Sequence, residues 1–130
     1  MTHRILVTDA VALAGLSPLT EHADFELVQV DDSSSEEFRT ELAEAEALIV
    51  RSSTKVTRDL LGLAPRLRAV ARAGVGVDNC DIPAATEKGV AVFNAPGANT
   101  NAAAELTMAL MISVARKIPS AEASLRRGEW

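Results

Sequence analysis

Short apolar runs alternate with helical patterns over the first part of this chain, and that alternation restricts the folds it can adopt. The runs, at 5–7, 25–30, 47–50, 67–71 and 90–93, have the length and residue types of buried β-strands. A helix between consecutive strands allows them to lie parallel, with right-handed crossovers. The sequence therefore predicts an α/β fold with a doubly wound parallel sheet of about five strands.

Residues that start helices stand between these runs. Ser17 is followed directly by a proline, and Ser34 lies three residues before Glu37, which is the spacing of a capping box. Thr57 and Asp81 precede the next two helical patterns. We expect each of these four hydroxyl or carboxylate side chains to cap a helix N-terminus.

Composition and charge exclude several classes of protein. The chain has 130 residues, 48% of them apolar, and a formal net charge of −5, so we expect a folded core and no general affinity for nucleic acid. The apolar runs are too short for a signal peptide or a membrane span. The single cysteine, Cys80, can form neither an internal disulfide nor a cysteine zinc site. We therefore expect a cytoplasmic protein without a metal ion.

Polar and glycine-containing segments follow the predicted strands. In a doubly wound sheet, ligands bind beyond the carboxyl ends of the strands. Those ends carry Asp9, Arg51, the segment 72–76 and the segment 94–100. Asp9 does not fit the phospho-acceptor of a receiver domain, because the third run ends in Arg51 where such a domain needs an aspartate. Neither histidine lies on this edge, so we expect no general acid or base in the chain.

The stretch RSSTKVT, residues 51–57, places two cations and four hydroxyls after the third strand. Arg51 offers a planar fork of N–H donors to a phosphate or carboxylate, and Ser52 offers a hydroxyl. We interpret Arg51 as a ligand-binding residue. Lys55 is compatible with a ligand contact or with a solvated turn. The stretch favours a small phosphorylated or carboxylated ligand.

The stretch ARAGVGVDNCD, residues 71–81, looks like a dinucleotide-binding glycine loop. Gly74 and Gly76 are present, but Asn79 stands where the G-x-G-x-x-G pattern needs its third glycine. The stretch therefore fails as a dinucleotide fingerprint. Its backbone N–H groups can form a nest for an anion, or the stretch can be a tight strand-to-helix turn.

Residues 99–127 have the pattern of one long helix, with apolar side chains over most of its circumference. Such a helix must be buried on several sides. Since a five-stranded sheet covers only one side, we expect another domain or subunit to cover the rest. Pro119 is expected to kink or break the helix. Asn99 and Thr100, at its start, can bind a ligand or cap the helix.

Three stretches together resemble a known enzyme family. They are VRSSTKVT, VARAGVGVDNCDIPAATEKGVAVFNAPGANTNAAAELT and ARKIPSAEASLRRGEW. From about Glu44 to Trp130 the chain is similar, without gaps, to the NAD-dependent D-2-hydroxyacid dehydrogenases. Within that family it resembles the enzymes that oxidise 3-phosphoglycerate to 3-phosphohydroxypyruvate and so open serine synthesis.

For residues 1–98, the resemblance implies a flavodoxin-like substrate-binding lobe. It implies that Arg51 and Ser52 hold the phosphate end of a small phosphorylated 2-hydroxy acid. The backbone of residues 74–76 would meet the substrate carboxylate, and Val75 would lie against the nicotinamide of NAD.

For residues 99–130, the resemblance implies an interdomain helix that also packs in a homo-oligomer, through about residues 100–127. Asn99 and Thr100 would form the hinge beside the cofactor. The dinucleotide loop and the catalytic residues of the family lie beyond the point that matches Trp130. NAD would therefore be held mostly by a Rossmann domain absent from this chain, and no catalytic residue is expected within it.

Two alternatives stay open. The chain, as a fragment or as a truncated gene product, could be a non-catalytic binding or dimerisation module. It could also belong to another 2-hydroxyacid dehydrogenase, such as a glyoxylate or hydroxypyruvate reductase. The choice of 3-phosphoglycerate depends on the resemblance and on the cations Arg51 and Lys55.

Overall fold

The computed structural model describes residues 2–129, except for the side chain of Leu13. Met1 is the first residue of the predicted lobe 1–98, and Trp130 is the last residue of the predicted segment 99–130. Both lie outside the described residues. Within the described part, the chain forms five β-strands and six α-helices, together with one short 3₁₀ helix.

The chain divides into two compact units, Met1–Pro96 and Gly97–Trp130. The sequence places this boundary two residues later, between 98 and 99. The break falls in a loop where Gly97 has a φ of +73°, a left-handed conformation that glycine adopts without strain.

A five-stranded parallel sheet forms the centre of the first unit. Its strands are β1 (His3–Val7), β2 (Phe25–Gln29), β3 (Ala47–Val50), β4 (Ala69–Arg72) and β5 (Ala91–Phe93). Their order is β2-β1-β3-β4-β5, and every neighbouring pair is parallel. This is the strand order of flavodoxin-like folds, so the predicted doubly wound sheet is confirmed.

Helices connect the strands and cover both faces of the sheet. They are α1 (Ser17–Thr20), which follows the 3₁₀ helix Leu13–Leu16, then α2 (Glu36–Glu44), α3 (Arg58–Gly62) and α4 (Ile82–Glu87). Leu48 packs on one face, in a cluster with Phe38 of α2 and Leu61 of α3. Ile49 packs on the other face, against Leu19 of α1. Because successive residues of a strand point to opposite faces, both must be apolar.

Two of the four predicted helix caps are confirmed. The Thr57 hydroxyl accepts a hydrogen bond from the N–H of Leu60 at 3.2 Å, at the start of α3. The Asp81 carboxylate accepts one from the N–H of Ala84 at 2.9 Å, at the start of α4. Each side chain satisfies a backbone donor that has no partner within its helix.

The other two predicted caps are wrong. Ser17 is itself the first residue of α1 and makes no side-chain cap bond. Ser35, not Ser34, caps α2, and its hydroxyl accepts from the N–H of Phe38 at 3.1 Å. The Ser34 hydroxyl instead donates a hydrogen bond to the carboxylate of Asp32 at 2.6 Å. That Asx turn moves the helix start by one residue.

The second unit consists of α5 (Thr100–Ala115) and α6 (Ile118–Arg126). The predicted single helix over 99–127 is therefore two helices. Lys117 has a left-handed φ of 52°, and Pro119 lies in the first turn of α6, so the predicted break at the proline is confirmed. Among residues 2–129, no helix has both the length and the apolarity needed to cross a membrane.

Candidate functional site

The loops that follow β3, β4 and β5 are neighbours at the carboxyl edge of the sheet, because these strands are adjacent and parallel. They bring together Arg51 and Ser52 after β3, the segment 73–76 after β4, and Asn94 after β5. Asp9 follows β1, the neighbour of β3 on its other side. The predicted substrate residues of the first unit therefore lie on one edge.

The loop after β3 is held by the carboxylate of Asp9. One oxygen, Oδ2, accepts the backbone N–H of Arg51 at 2.8 Å and that of Thr54 at 3.0 Å. The other, Oδ1, accepts the Thr54 hydroxyl at 2.6 Å. Thr54 is buried, so this bonding satisfies polar groups that are shielded from water. Sequence reasoning placed Asp9 at the edge but gave it no role.

The backbone at Asp9 is strained. Asp9 and Ala10 have φ values of 62° and 50°, in a left-handed region that costs residues with a Cβ roughly 1–2 kcal/mol each. Asp31 stabilises the second of them, since its Oδ1 accepts the N–H of Ala10 at 3.0 Å. Such strain persists where surrounding contacts hold it in place.

Hydrogen bonding sets the charge state of Asp9. Burial acts to raise the pKa of its carboxyl, but the hydrogen bonds from the Thr54 hydroxyl and from the backbone of Thr54 and Arg51 outweigh burial and lower it. Asp9 is therefore ionised at neutral pH, and its charge faces three donors.

Asn79 holds the same loop by donating hydrogen bonds to two backbone carbonyl groups of that loop. Its Nδ2 donates to the C=O of Arg51 and to the C=O of Thr54, both at 2.8 Å. The side chain is buried. The residue that disqualifies the glycine stretch as a dinucleotide fingerprint thus has a structural task, which sequence reasoning missed.

Two residues after β5 hold the backbone of the 73–76 loop. The N–H of Ala95 donates to the C=O of Gly74 at 2.9 Å, and Nδ2 of Asn94 donates to the C=O of Val75 at 2.7 Å. In a trans peptide the N–H points opposite to the C=O. The N–H groups of Val75 and Gly76 therefore point away from β5, and β3 with Arg51 lies on that other side of β4.

The anion nest predicted from the glycine stretch has fewer available backbone N–H donors in the structure than the sequence predicts. The N–H of Gly74 donates to the C=O of Arg72 at 2.8 Å. The N–H groups of Val75 and Gly76 donate to no described residue. An anion at this loop would therefore meet two free donors, while Gly74 supplies a carbonyl that fixes the loop.

Arg72, the last residue of β4, folds over Gly74. A methyl group at position 74 would overlap the Arg72 guanidinium, so a larger residue there would displace the end of this side chain. Nε of Arg72 is buried and has no partner among residues 2–129. A buried donor of this kind is satisfied by an added acceptor, and an anion supplies one. Sequence reasoning gave Arg72 no role.

The cations of the loop after β3 are unpaired. The side chains of Arg51 and Lys55 are exposed and form no hydrogen bond or ion pair with any described residue. Four arginines elsewhere in the first unit are paired: Arg4 with Glu41, Arg39 with Glu36, Arg58 with Glu87 and Arg66 with Glu44. The five donors of the Arg51 guanidinium are therefore free for a ligand.

A depression of about 380 Å³ lies beside Arg51. Ala73 and residues of the 10–16 segment complete its lining, and its volume is at the lower end for small-molecule sites. A larger depression of about 730 Å³ lies on the second unit, among Ile112, Ile118 and Leu125. Most of its exposed lining surface is apolar, and Arg116, Glu122, Ser124 and Glu129 also line it.

Groups with acid–base or nucleophilic chemistry lie elsewhere. His3 begins β1 at the opposite edge, with Nδ1 3.0 Å from Oε2 of Glu46. His22 precedes β2. Burial raises the pKa of the Cys80 thiol, so it stays protonated at neutral pH and is a poor nucleophile. Among residues 2–129, no group of acidic, histidine or cysteine side chains could hold a metal ion.

The remaining predicted site residues are exposed. Val75 exposes 37% of its surface, and Ser52 lies in the open loop after β3. Asn99 and Thr100 belong to the second unit, where Asn99 precedes α5 without a side-chain cap bond and Thr100 is its first residue. Their contact with a cofactor stays a prediction.

Comparison with known proteins identifies the family. Residues 5–127 match the family described as D-isomer specific 2-hydroxyacid dehydrogenase, catalytic domain. The chain belongs to this family. The resemblance noted from the three sequence stretches is thereby confirmed.

Curated relatives of this 2-hydroxyacid dehydrogenase chain are much longer than the chain itself. It is 49% identical over 127 residues to D-3-phosphoglycerate dehydrogenase of Methanocaldococcus jannaschii, covering 98% of this chain and 24% of that protein. It is 50% identical over 128 residues to D-3-phosphoglycerate dehydrogenase 2, chloroplastic, of Arabidopsis thaliana, covering 98% and 20%. The chain thus spans about a fifth to a quarter of their lengths.

A solved structure supports the same relationship. The chain is 28% identical to cofactor (NAD⁺)-bound 3-phosphoglycerate dehydrogenase of Entamoeba histolytica, with a TM-score of 0.74. The match covers 87% of this chain and 39% of that one. The predicted substrate-lobe fold of the 2-hydroxyacid dehydrogenases is therefore confirmed.

Proposed function

We propose that this chain is the substrate-binding part of an NAD-dependent D-2-hydroxyacid dehydrogenase. The proposed substrate is 3-phosphoglycerate, oxidised at its hydroxyl carbon to 3-phosphohydroxypyruvate, the reaction that opens serine synthesis. The observation that carries this proposal is the unpaired guanidinium of Arg51 on the same sheet edge as the free N–H groups of Val75 and Gly76. The names of the two curated relatives support the choice of substrate.

The two anionic ends of 3-phosphoglycerate correspond to two kinds of donor at this edge. Arg51 binds the phosphate through its planar fork, and the Ser52 hydroxyl adds a donor. The N–H groups of Val75 and Gly76 bind the carboxylate, because a pair of backbone donors forms an anion nest. The Gly74 carbonyl, held by Ala95, keeps that nest in position.

The described residues do not build a phosphate site for NAD. Asn79 occupies the position of the third fingerprint glycine, and its side chain is buried against the loop after β3. We propose that NAD is held mostly outside this chain, with Val75, Asn99 and Thr100 beside it. The NAD-bound relative from Entamoeba histolytica supports this cofactor. No residue of the chain is proposed as catalytic, and the purified chain alone should form no NADH.

We also propose that the protein is a cytoplasmic homo-oligomer. The second unit supports the homo-oligomer, because apolar side chains along α5 are exposed (Leu106, Met108, Leu110, Met111, Ile112 and Val114). A contiguous apolar surface of this kind is typical of an interface with another protein chain.

The direct test is binding of 3-phosphoglycerate to the chain by isothermal titration calorimetry. Arg51→Ala should weaken binding by about 2 kcal/mol, or roughly thirtyfold in Kd, because it removes a charge-assisted contact. Arg68→Ala is the matched control. Arg68 is also an exposed arginine next to β4, but it lies at the opposite, amino edge of the sheet.

Equal losses in the two variants would mean that the arginines act only through net charge. An unchanged Kd in Arg51→Ala would identify Arg51 as a solvated turn residue. Binding of glyoxylate or hydroxypyruvate as tightly as 3-phosphoglycerate would favour the reductase alternative. No binding of any of these acids would favour a non-catalytic dimerisation module.

A further inference from the structure

The four-residue loop from Arg51 to Thr54 is clamped at both ends by two side chains. Asp9 accepts the N–H of Arg51 and the N–H of Thr54, while Asn79 donates to the C=O of the same two residues. Both N–H groups and both carbonyls of the loop ends are therefore bound. The Arg51 side chain, in contrast, contacts no polar partner among residues 2–129.

The placement of a carboxylate here is unexpected on electrostatic grounds. Asp9 and Arg51 follow adjacent strands at the edge where an anion is proposed to bind, and a bare negative charge would repel that anion. The carboxylate is instead directed at three donors of its own chain, two N–H groups and the Thr54 hydroxyl. Its contribution to anion binding must then come through the loop that it holds.

We propose that Asp9 is a positioning residue for Arg51. It fixes the backbone from which the guanidinium extends, so that the guanidinium meets an anion without the loop having to order first. Asn79 holds the same two loop ends by donating to the carbonyls of Arg51 and Thr54. The inference rests on the proposed function, since it assumes that Arg51 binds an anionic substrate. The lowered pKa of the Asp9 carboxyl is consistent with this bonding.

The strained backbone at Asp9 supports this assignment. Two consecutive residues, Asp9 and Ala10, adopt the left-handed region. This turn directs the carboxylate to the loop after β3, which lies 42 to 45 residues further along the chain. Strained residues cluster where a particular geometry is needed for binding.

The test compares Asp9→Ala, Asp9→Asn and a control, Asp32→Ala, in the 130-residue chain. Asp32 is a matched control because its carboxylate also accepts a backbone N–H and a hydroxyl, both from Ser34, but it lies after β2. Amide hydrogen exchange at Arg51 and Thr54 reports the state of the loop without a ligand. Calorimetric titration with 3-phosphoglycerate reports anion binding.

Asp9→Ala should speed amide exchange at Arg51 and Thr54 and raise the Kd for 3-phosphoglycerate about tenfold. Asp9→Asn should keep the Kd within about threefold of the unsubstituted chain. Its amide oxygen can still accept the two N–H groups, and its Nδ2 can donate to the Thr54 hydroxyl. Asp32→Ala should change neither quantity. Rescue by asparagine separates positioning from a requirement for charge.

Several results would overturn the inference. Tighter binding by either Asp9 variant would mean that the carboxylate acts only as a repelling charge. Unchanged binding by Asp9→Ala, despite faster exchange, would mean that the clamp does not matter for the anion. If Asp9→Ala fails to fold, Thr54→Val carries the test, because it removes only the hydroxyl donor; it should raise the Kd in the same direction. No binding by the unsubstituted chain would instead contradict the proposed function.

Discussion

Leu48 of β3 and Met111 of α5 are apolar residues of similar size in opposite surroundings. Leu48 is fully buried between the sheet and the helices of the first unit, whereas Met111 exposes 67% of its surface. The same contrast separates the two units as a whole, because the buried apolar side chains of the described residues all lie in the first. The first unit is therefore stabilised by its own core, whereas the second leaves its large apolar side chains exposed.

The two units also differ in the polar groups that they offer to a ligand. At one edge of its sheet, the first unit carries the Arg51 guanidinium and the N–H groups of Val75 and Gly76, none of which has a hydrogen-bond partner among residues 2–129. The second unit carries α5, whose apolar side chains cover most of its circumference and are exposed. Under the proposed function, the first unit would bind the ligand and the second would take part in chain association.

The largest expected effect is on core packing. Leu48→Ala should lower the free energy of unfolding by about 2–5 kcal/mol, since it leaves a cavity in the sheet core. Met111→Ala should lower it by less than about 0.5 kcal/mol in the dissociated chain. Urea unfolding followed by circular dichroism at low protein concentration measures both. Similar losses would show that α5 is packed in the isolated chain.

The next effect is on association. Met111→Glu combined with Val114→Glu, one turn apart on α5, should shift the chain toward monomer. Burying each apolar side chain at an interface contributes about 1.5–3 kcal/mol. Leu63→Glu is the control, because Leu63 is also exposed, at 52%, but belongs to the first unit. Sedimentation equilibrium measures the association constants. A chain that is already monomeric at high concentration would contradict this prediction.

Helix caps give a smaller contrast between the units. Thr57→Ala should destabilise the chain by about 1 kcal/mol, because the hydroxyl accepts the N–H of Leu60. Asn99→Ala should cost less than about 0.5 kcal/mol, since Asn99 makes no side-chain cap bond at α5. Thermal unfolding compares the two variants. Equal costs would show that Asn99 caps α5 in solution.

The smallest effect is the pH dependence contributed by Asp9. Its pKa is lowered in the folded chain from an ordinary value of 3.8, so the folded state binds this proton less readily than the unfolded state. The stabilisation is present above that ordinary value and is lost as the pH falls through the lower folded pKa. The stability difference between the unsubstituted chain and Asp9→Asn should therefore be constant near neutrality and shrink below about pH 4. A difference that grows with acidity would contradict this sign.

Much of the fold follows from local sequence patterns. The alternation of apolar runs and helical segments predicts all five strands and their parallel arrangement, because each signal lies within a few residues. Strand ends shift by one or two residues, as at β4, which begins at Ala69 rather than at 67. The cap at Ser35 differs from the predicted Ser34, because two adjacent serines compete and Asp32 engages the first.

The site is less predictable, because its organising bonds are long-range. Asp9 and Thr54 are 45 residues apart, and Asn79 and Arg51 are 28 apart. No local pattern indicates that the Asp9 carboxylate and the Asn79 amide form hydrogen bonds with the same loop. The overlap of Arg72 with position 74 is local but depends on a side-chain conformation. The residue types at the edge were thus predictable, and the clamp was not.

The proposed substrate edge is best tested by ¹⁵N-resolved NMR titration of the chain with 3-phosphoglycerate. We predict saturable shifts of the amides of Val75 and Gly76 and of the Nε–H of Arg51, with the amides of Arg66 and Arg68 at the opposite edge unchanged. Shifts concentrated at Arg66 and Arg68, or no saturable shift at Val75 and Gly76, would contradict the assignment of the carboxyl edge as the substrate site.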